Sequence, residues 1–170
     1  MAEAAEGSDS PRGGDLTHLD ARGQARMVDV GSKEVTVRTA AAEATVRMSP
    51  ATAAKLLVGD LPKGDALPVA RIAGIQAAKR TPDLIPLCHH IALTSVEVEI
   101  TVDADGGTAH VLATARAADR TGVEMEALTA ASVSALTVYD LVKAVQRDVV
   151  ITDVRLVAKS GGRSGDYRAG

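Results

Sequence analysis

The chain has 170 residues and a formal net charge of -3, enough for one domain with a real core and too few for two comfortable ones. That weak negative charge excludes a general attraction to nucleic acid or anionic membrane, so any anion binding must come from local clusters. With no Trp, no Phe and two Tyr, the core must be aliphatic, and the base-stacking platforms of single-stranded nucleic-acid binders are excluded as well.

Small aliphatic cores bury little area per residue, so the composition predicts that oligomerisation supplies further burial. Cys88 is the single cysteine, which rules out an internal disulfide and favours a reducing, cytoplasmic location. No run approaches the roughly 18 apolar residues of a membrane span. The opening MAEAAEGSDSPRGGD lacks the basic start and apolar stretch of a secretory signal, and residues 1–15 read as a disordered leader.

Residues 34–47, EVTVRTAAAEATVR, alternate in two patches, Val35 with Val37 and Ala44 with Val46, and predict a strand open to interruption between them. In SPATAAKLLVGD, Ser49 can cap a helix, Pro50 suits its first position and Gly59 can end it. The loop DLPKGDA follows, and Pro68 opens a second helix, LPVARIAGIQAAKR. Lys63 then stands just ahead of a helix N-terminus, where lysine and backbone N–H groups together favour an anion. SVEVEITVD at 95–103 and TAHVLATARAAD after the Asp105, Gly106, Gly107 turn form a hairpin, with Val96, Val98, Ile100 and Val102 inward. A long helix is predicted from about Val123 to Arg147, then a last strand, VVITDVRLVAK. Residues 161–170 read as a flexible Gly-rich tail. The order predicts one domain over 16–160, an α+β ferredoxin-like antiparallel sheet with helices packed on one face.

On the long helix, Ala131, Ala135, Val138, Val142 and Val145 make a core stripe. Val133, Leu136, Asp140, Lys143 and Arg147 line up opposite, starting apolar and ending charged. Asp140 and Lys143 are i, i+3 neighbours. Exposed, such a pair is worth about 0.2–0.5 kcal/mol; partly buried, it holds a carboxylate ready to move a proton. Glu124 and Glu126 stand near the helix start, where the dipole favours carboxylates for structural reasons alone. Sixteen residues of helix put Glu124 and Asp140 about 24 Å apart. They act separately, or a site combines the two ends from different subunits.

DLIPLCHH at 83–90 offers Cys88, His89 and His90 with no second ligand cluster, a poor fit to zinc. Read as an extended segment, it puts Cys88 and His90 on one face and His89 on the other, so cysteine and its neighbouring histidine do not form a nucleophile–base couple. Cys88 reads as a small buried hydrophobe, with one histidine packed and the other free.

Five segments in order, MVDVGSKEVTVR, KGD at 63–65, ARIAGIQAAKRTPDLIPLCH, TGVEMEALTAASVSALTVYDLVKAVQ and VRLVAKSGG, closely resemble the cyclic pyranopterin monophosphate synthase family of molybdenum cofactor biosynthesis. The resemblance covers about residues 16–166. It implies a lyase that converts 3′,8-cyclo-7,8-dihydro-GTP, supplied by an upstream radical enzyme, to cyclic pyranopterin monophosphate with release of pyrophosphate. It also implies a cytoplasmic hexamer built as a trimer of dimers, with sites between subunits, and no nucleic-acid or membrane partner.

Position by position, the resemblance makes Asp140 and Lys143 the central acid/base pair and adds Lys63, Glu124 and Glu126 as catalytic groups. Arg38, Leu87, Cys88, His89, Met125 and Lys159 become substrate-binding residues. His90 departs from the proline expected after the site histidine. These residues call for no protein-held metal or redox cofactor. Two other classes share such a fold: a non-catalytic nucleotide-binding module, and an RNA-binding domain, which needs exposed sheet aromatics this chain lacks.

Overall fold

A computed structural model of the chain describes residues 22–162 and 165–170. The leader at 1–15 lies outside the described residues, as do positions 163 and 164 of the tail. In chain order the elements are β1 (Thr36–Arg47), α1 (Pro50–Val58), α2 (Ala66–Ala78), α3 (Thr81–Leu84), β2 (Leu93–Asp103), β3 (Thr108–Asp119), α4 (Glu124–Val142), β4 (Val150–Ser160) and β5 (Tyr167–Arg168). The sheet runs β2-β3-β1-β4-β5 with every neighbouring pair antiparallel. Two crossovers produce this order. The α1–α2 connection carries the chain from β1 over β3 to β2, and α4 carries it from β3 over β1 to β4. The predicted ferredoxin-like α+β architecture is the one observed.

Alanine sets the spacing between layers. Ala40, Ala42, Ala44 and Val46 of β1 are buried, as are Ala109, Val111, Ala113, Ala115 and Ala117 of β3. Above them lie Ala127, Ala131, Ala135 and Val138 of α4, all fully buried. Small side chains on both surfaces let helix and sheet approach closely, and α4 packs on β1, β3, β4 and α2. Val35 and Val37 are 54% and 72% exposed. The two predicted patches were out of phase, and one continuous strand has only one inward parity, which the alanines take. The irregularity falls on the pairing with β4, where the register shifts twice and Asp153 adopts φ 56.

The helix ends follow local chemistry. The Ser49 hydroxyl accepts from Thr52 N at 3.2 Å, and Gly59 closes α1 in the left-handed region at φ 73. α2 begins two residues before the predicted Pro68, because the Asp65 carboxylate caps it by accepting from Leu67 N at 3.2 Å. Proline is tolerated there, within the first turn, where its missing N–H has no helical partner. α4 stops at Val142 rather than at Arg147. Tyr139 donates from its hydroxyl to the Arg147 carbonyl at 3.1 Å, and Gln146 accepts from Ser49 N at 2.9 Å. These bonds turn the chain toward β4 and leave Val145 40% exposed, outside the predicted core stripe.

By length and composition alone α4 is apolar enough to cross a membrane, with a mean hydropathy of 1.2, although Glu, Ser, Thr and Asp interrupt its apolar run. Its apolarity serves the interior, since 56% of that stretch is buried within the fold. The Gly-rich tail also carries regular structure: β5 pairs Tyr167 with Lys159 and Arg168 with Ala158.

Candidate active site

The charged residues singled out in the sequence gather at the two ends of α4. At its C-terminal end, Asp140 sits between two lysines. Lys143 Nζ is 2.6 Å from Oδ1, and Lys63 Nζ is 2.8 Å from Oδ2 and 3.2 Å from the Asp140 carbonyl oxygen. The KGD sequence explains how Lys63 arrives. Leu61 accepts from Gly64 N in a turn, Gly64 takes φ 88, and Asp65 caps α2, so the lysine is held between a turn and a helix start. Hydrogen bonds from Lys143 and then Lys63 hold the Asp140 carboxyl down at about 2, and Asp140 in turn pushes the Lys143 ammonium up. All three side chains are about half exposed, which is the open version of the pair foreseen in sequence.

The N-terminal end of α4 faces two adjoining clefts of about 540 and 320 Å³ that share Lys33, Thr121, Gly122 and Glu124. The larger carries Lys33, Arg38 and Arg120 on its walls against Glu34 and Glu124, a small cationic excess. Apolar residues line much of the smaller one: Val28, Val30, Leu87, Ile91 and Met125 stand around Cys88, His89 and Glu126. Glu124 bonds Lys159 of β4 at 3.0 Å. Gly122 permits this arrangement, since a Cβ there would land on the Glu124 carboxylate. Glu126 is 2% exposed. Burial raises its carboxyl to about 7 against the lowering effect of its own amide, with Glu124 and Asp119 adding to the rise. Such a group carries or releases a proton near neutral pH.

The DLIPLCHH segment is not extended, which corrects the alternation argument. The α3 turn runs into a second turn in which Cys88 N donates to the Ile85 carbonyl at 3.0 Å, and Cys88 and His89 line the same cleft. Cys88 is half-buried rather than buried. Burial first, and the charge of Glu126 second, push its thiol up, so thiolate chemistry is disfavoured. His89 donates from Nε2 to the Val28 carbonyl at 2.7 Å, leaving Nδ1 as the acceptor of the neutral ring. His90 is exposed. Among the described residues no cluster of histidine, cysteine and carboxylates has the makings of a metal site.

The fold therefore unites Lys63, Asp140 and Lys143, and separately unites Glu124, Glu126, Lys159 and the Leu87–His89 turn. Within one chain it does not unite these two sets, because α4 holds them about 24 Å apart. Sequence reasoning passed over Lys33, Arg120, Thr121 and Gly122. The last two lie inside the TGVEMEAL segment already singled out, and Arg120 immediately precedes it.

The family model described as the MoaC family matches residues 27–162. A protein named cyclic pyranopterin monophosphate synthase from Roseiflexus sp. (strain RS-1) is 60% identical over 153 residues, 90% of this chain and 97% of its own length. Proteins of the same name from Parvibaculum lavamentivorans and Streptomyces griseus are 59% and 61% identical, over 91% and 90% of this chain and 96% and 85% of their own lengths. With a match that spans both ends of α4 and every strand of the sheet but the last, this chain belongs to the MoaC family.

Proposed function

We propose that the chain is a cyclic pyranopterin monophosphate synthase, a lyase of molybdenum cofactor biosynthesis that converts 3′,8-cyclo-7,8-dihydro-GTP to cyclic pyranopterin monophosphate and pyrophosphate. One observation carries the assignment: about 60% identity to proteins of that name over about nine-tenths of the chain. The clustered charges supply the chemistry. A substrate oxygen attacks the α-phosphorus and forms a new P–O bond, the bond between the α-phosphorus and the bridging oxygen breaks, and pyrophosphate leaves. Negative charge on the phosphate oxygens is met by lysines, which in this reading are Lys63, Lys143 and Lys159. Ring opening and pterin closure need repeated proton transfers. Asp140, ionised between its lysines, and Glu124 take the base role, and Glu126, neutral or ionised near pH 7, gives and receives protons.

The smaller cleft, with Leu87, Cys88, His89 and Met125, suits the purine-derived ring, and the larger one, with Lys33 and Arg120 on its wall, suits the phosphates. The separation along α4 favours a site completed by a second copy, in a cytosolic hexamer assembled as a trimer of dimers. Val35 and Val37, exposed in the protomer, are consistent with faces covered by other copies.

Turnover of the purified cyclised intermediate tests the proposal. Wild-type protein is expected to form product and pyrophosphate, and Asp140→Ala and Lys143→Ala to fold with unchanged secondary structure and lose activity by about 10²–10⁴-fold. No turnover by the wild type overturns the function. Near-normal turnover by both variants overturns the residue roles.

A further inference from the structure

The guanidinium of Arg38 faces backbone carbonyls with all three of its nitrogens. Nε donates to Asp119 O at 3.4 Å, Nη2 to Arg120 O at 3.5 Å and Nη1 to Gly161 O at 3.3 Å. These acceptors lie on the two segments that leave the sheet on either side of β1. The β1–β3 ladder begins at the Thr36–Asp119 pair, and the β1–β4 ladder ends at the Thr39–Ser160 pair. Beyond those pairs no ladder bond ties either segment to β1, and the Arg38 side chain spans both.

Gly161 and Gly162 are shaped to this contact. Both have left-handed φ, at 92 and 80. A Cβ on Gly161 would land on the Val37 carbonyl, and one on Gly162 would land on the Arg38 guanidinium. The diglycine lets the chain lie directly against the Nη1 edge of the guanidinium. Two residues earlier, Lys159 bonds Glu124 on the facing helix, and one acceptor segment carries Arg120 on the cleft wall.

We propose that Arg38 serves the reaction as a positioning residue: it clasps the Asp119–Arg120 and Gly161–Gly162 segments together and so fixes Lys159 and Arg120 about the cleft. The proposal rests on the function given above. Lysine cannot replace such a clasp, because one ammonium does not span three carbonyls on two segments. A direct phosphate ligand, by contrast, keeps part of its effect as a lysine point charge.

The test compares wild type with Arg38→Lys, Gly162→Ala, the double variant and Gly165→Ala. Gly165 has φ 68, and a methyl added there meets open space, so its alanine bears the left-handed strain without the collision. Readouts are kcat and KM for the cyclised intermediate, the Kd of inorganic pyrophosphate, and amide exchange at 119–122 and 159–162. Arg38→Lys and Gly162→Ala are expected to speed exchange in both segments and lower kcat by at least about tenfold. Pyrophosphate Kd weakens by a similar factor in Arg38→Lys and Gly162→Ala, because Lys159 and Arg120 shift in both, and the double variant is no worse than the poorer single one, as coupled sites require. Gly165→Ala behaves as wild type. Retained kcat in Arg38→Lys, or a loss confined to KM and pyrophosphate affinity with exchange unchanged, overturns the clasp and makes Arg38 a phosphate ligand. If Arg38→Lys does not fold, normal kcat and exchange in Gly162→Ala overturn it alone. If wild type forms no product, the functional reading fails, and exchange still decides the clasp.

Discussion

Glu126 gives the fold a stability that falls as pH rises. The carboxyl is 2% exposed, and its pKa is raised from 4.5 to about 7, mainly by burial. Below the lower value, folded and unfolded chains both hold the proton and the group has no differential effect. Between the two values the unfolded chain releases the proton while the folded chain keeps it, so stability drops with rising pH. Above the folded value the drop is complete. At 1.36 kcal/mol per unit the gap corresponds to about 3 kcal/mol. Water in the adjoining cleft screens part of that, and about 2 kcal/mol is the expected size. Glu126→Gln keeps the shape and removes the titration. Denaturant unfolding of both proteins, at one protein concentration from about pH 5 to pH 8, reads the difference. The wild type should lose about 2 kcal/mol relative to the glutamine variant, mostly below pH 7. Parallel stability curves would refute the reasoning, because they would mean that the carboxyl titrates alike in folded and unfolded chains.

Gly74→Ala places a Cβ 2.9 Å from the Ala130 carbonyl and on the Ser134 hydroxyl, which itself bonds Ala70 O at 3.1 Å. A loss of about 1–3 kcal/mol in denaturant unfolding is expected, and an unchanged midpoint would deny the α2–α4 crossing at this point. Ser49→Ala removes the α1 cap and should lower stability by about 1 kcal/mol, with Ser49→Gly losing only a few tenths. Equal losses for the two would show that the side-chain oxygen is not what matters.

Much of the fold was legible because its signals are local. The β2–β3 hairpin follows from alternation around a Gly-Gly turn, and α1 from the Ser49-Pro50 start and Gly59 stop. What failed depends on tertiary contact. Which face of β1 turns inward stayed open, because the Val35–Val37 and Ala44–Val46 patches are out of phase and the choice is made by the helix that needs alanine to come close. The α4 end was overrun because the bonds of Tyr139 and Gln146 that turn the chain join residues 8 and 97 positions apart. At the site, the i, i+3 spacing of Asp140 and Lys143 was readable. Their partner Lys63 lies 77 residues from Asp140: its place before a helix N-terminus marked it as an anion-binding candidate, but nothing local joined it to Asp140. Lys33 and Arg120 went unnoticed for the same reason: a cation on an irregular segment has no periodicity to mark the cleft it faces.

A site that α4 cannot assemble within one copy is the central claim, and complementation measures it directly. Asp140→Ala and Glu126→Gln are each expected to be inactive as pure oligomers. Co-expressed with different tags and purified as mixed oligomers, they leave some sites with both intact halves, and random mixing predicts about a quarter of wild-type turnover. Mixed oligomers that remain inactive at every ratio would contradict a site shared between copies.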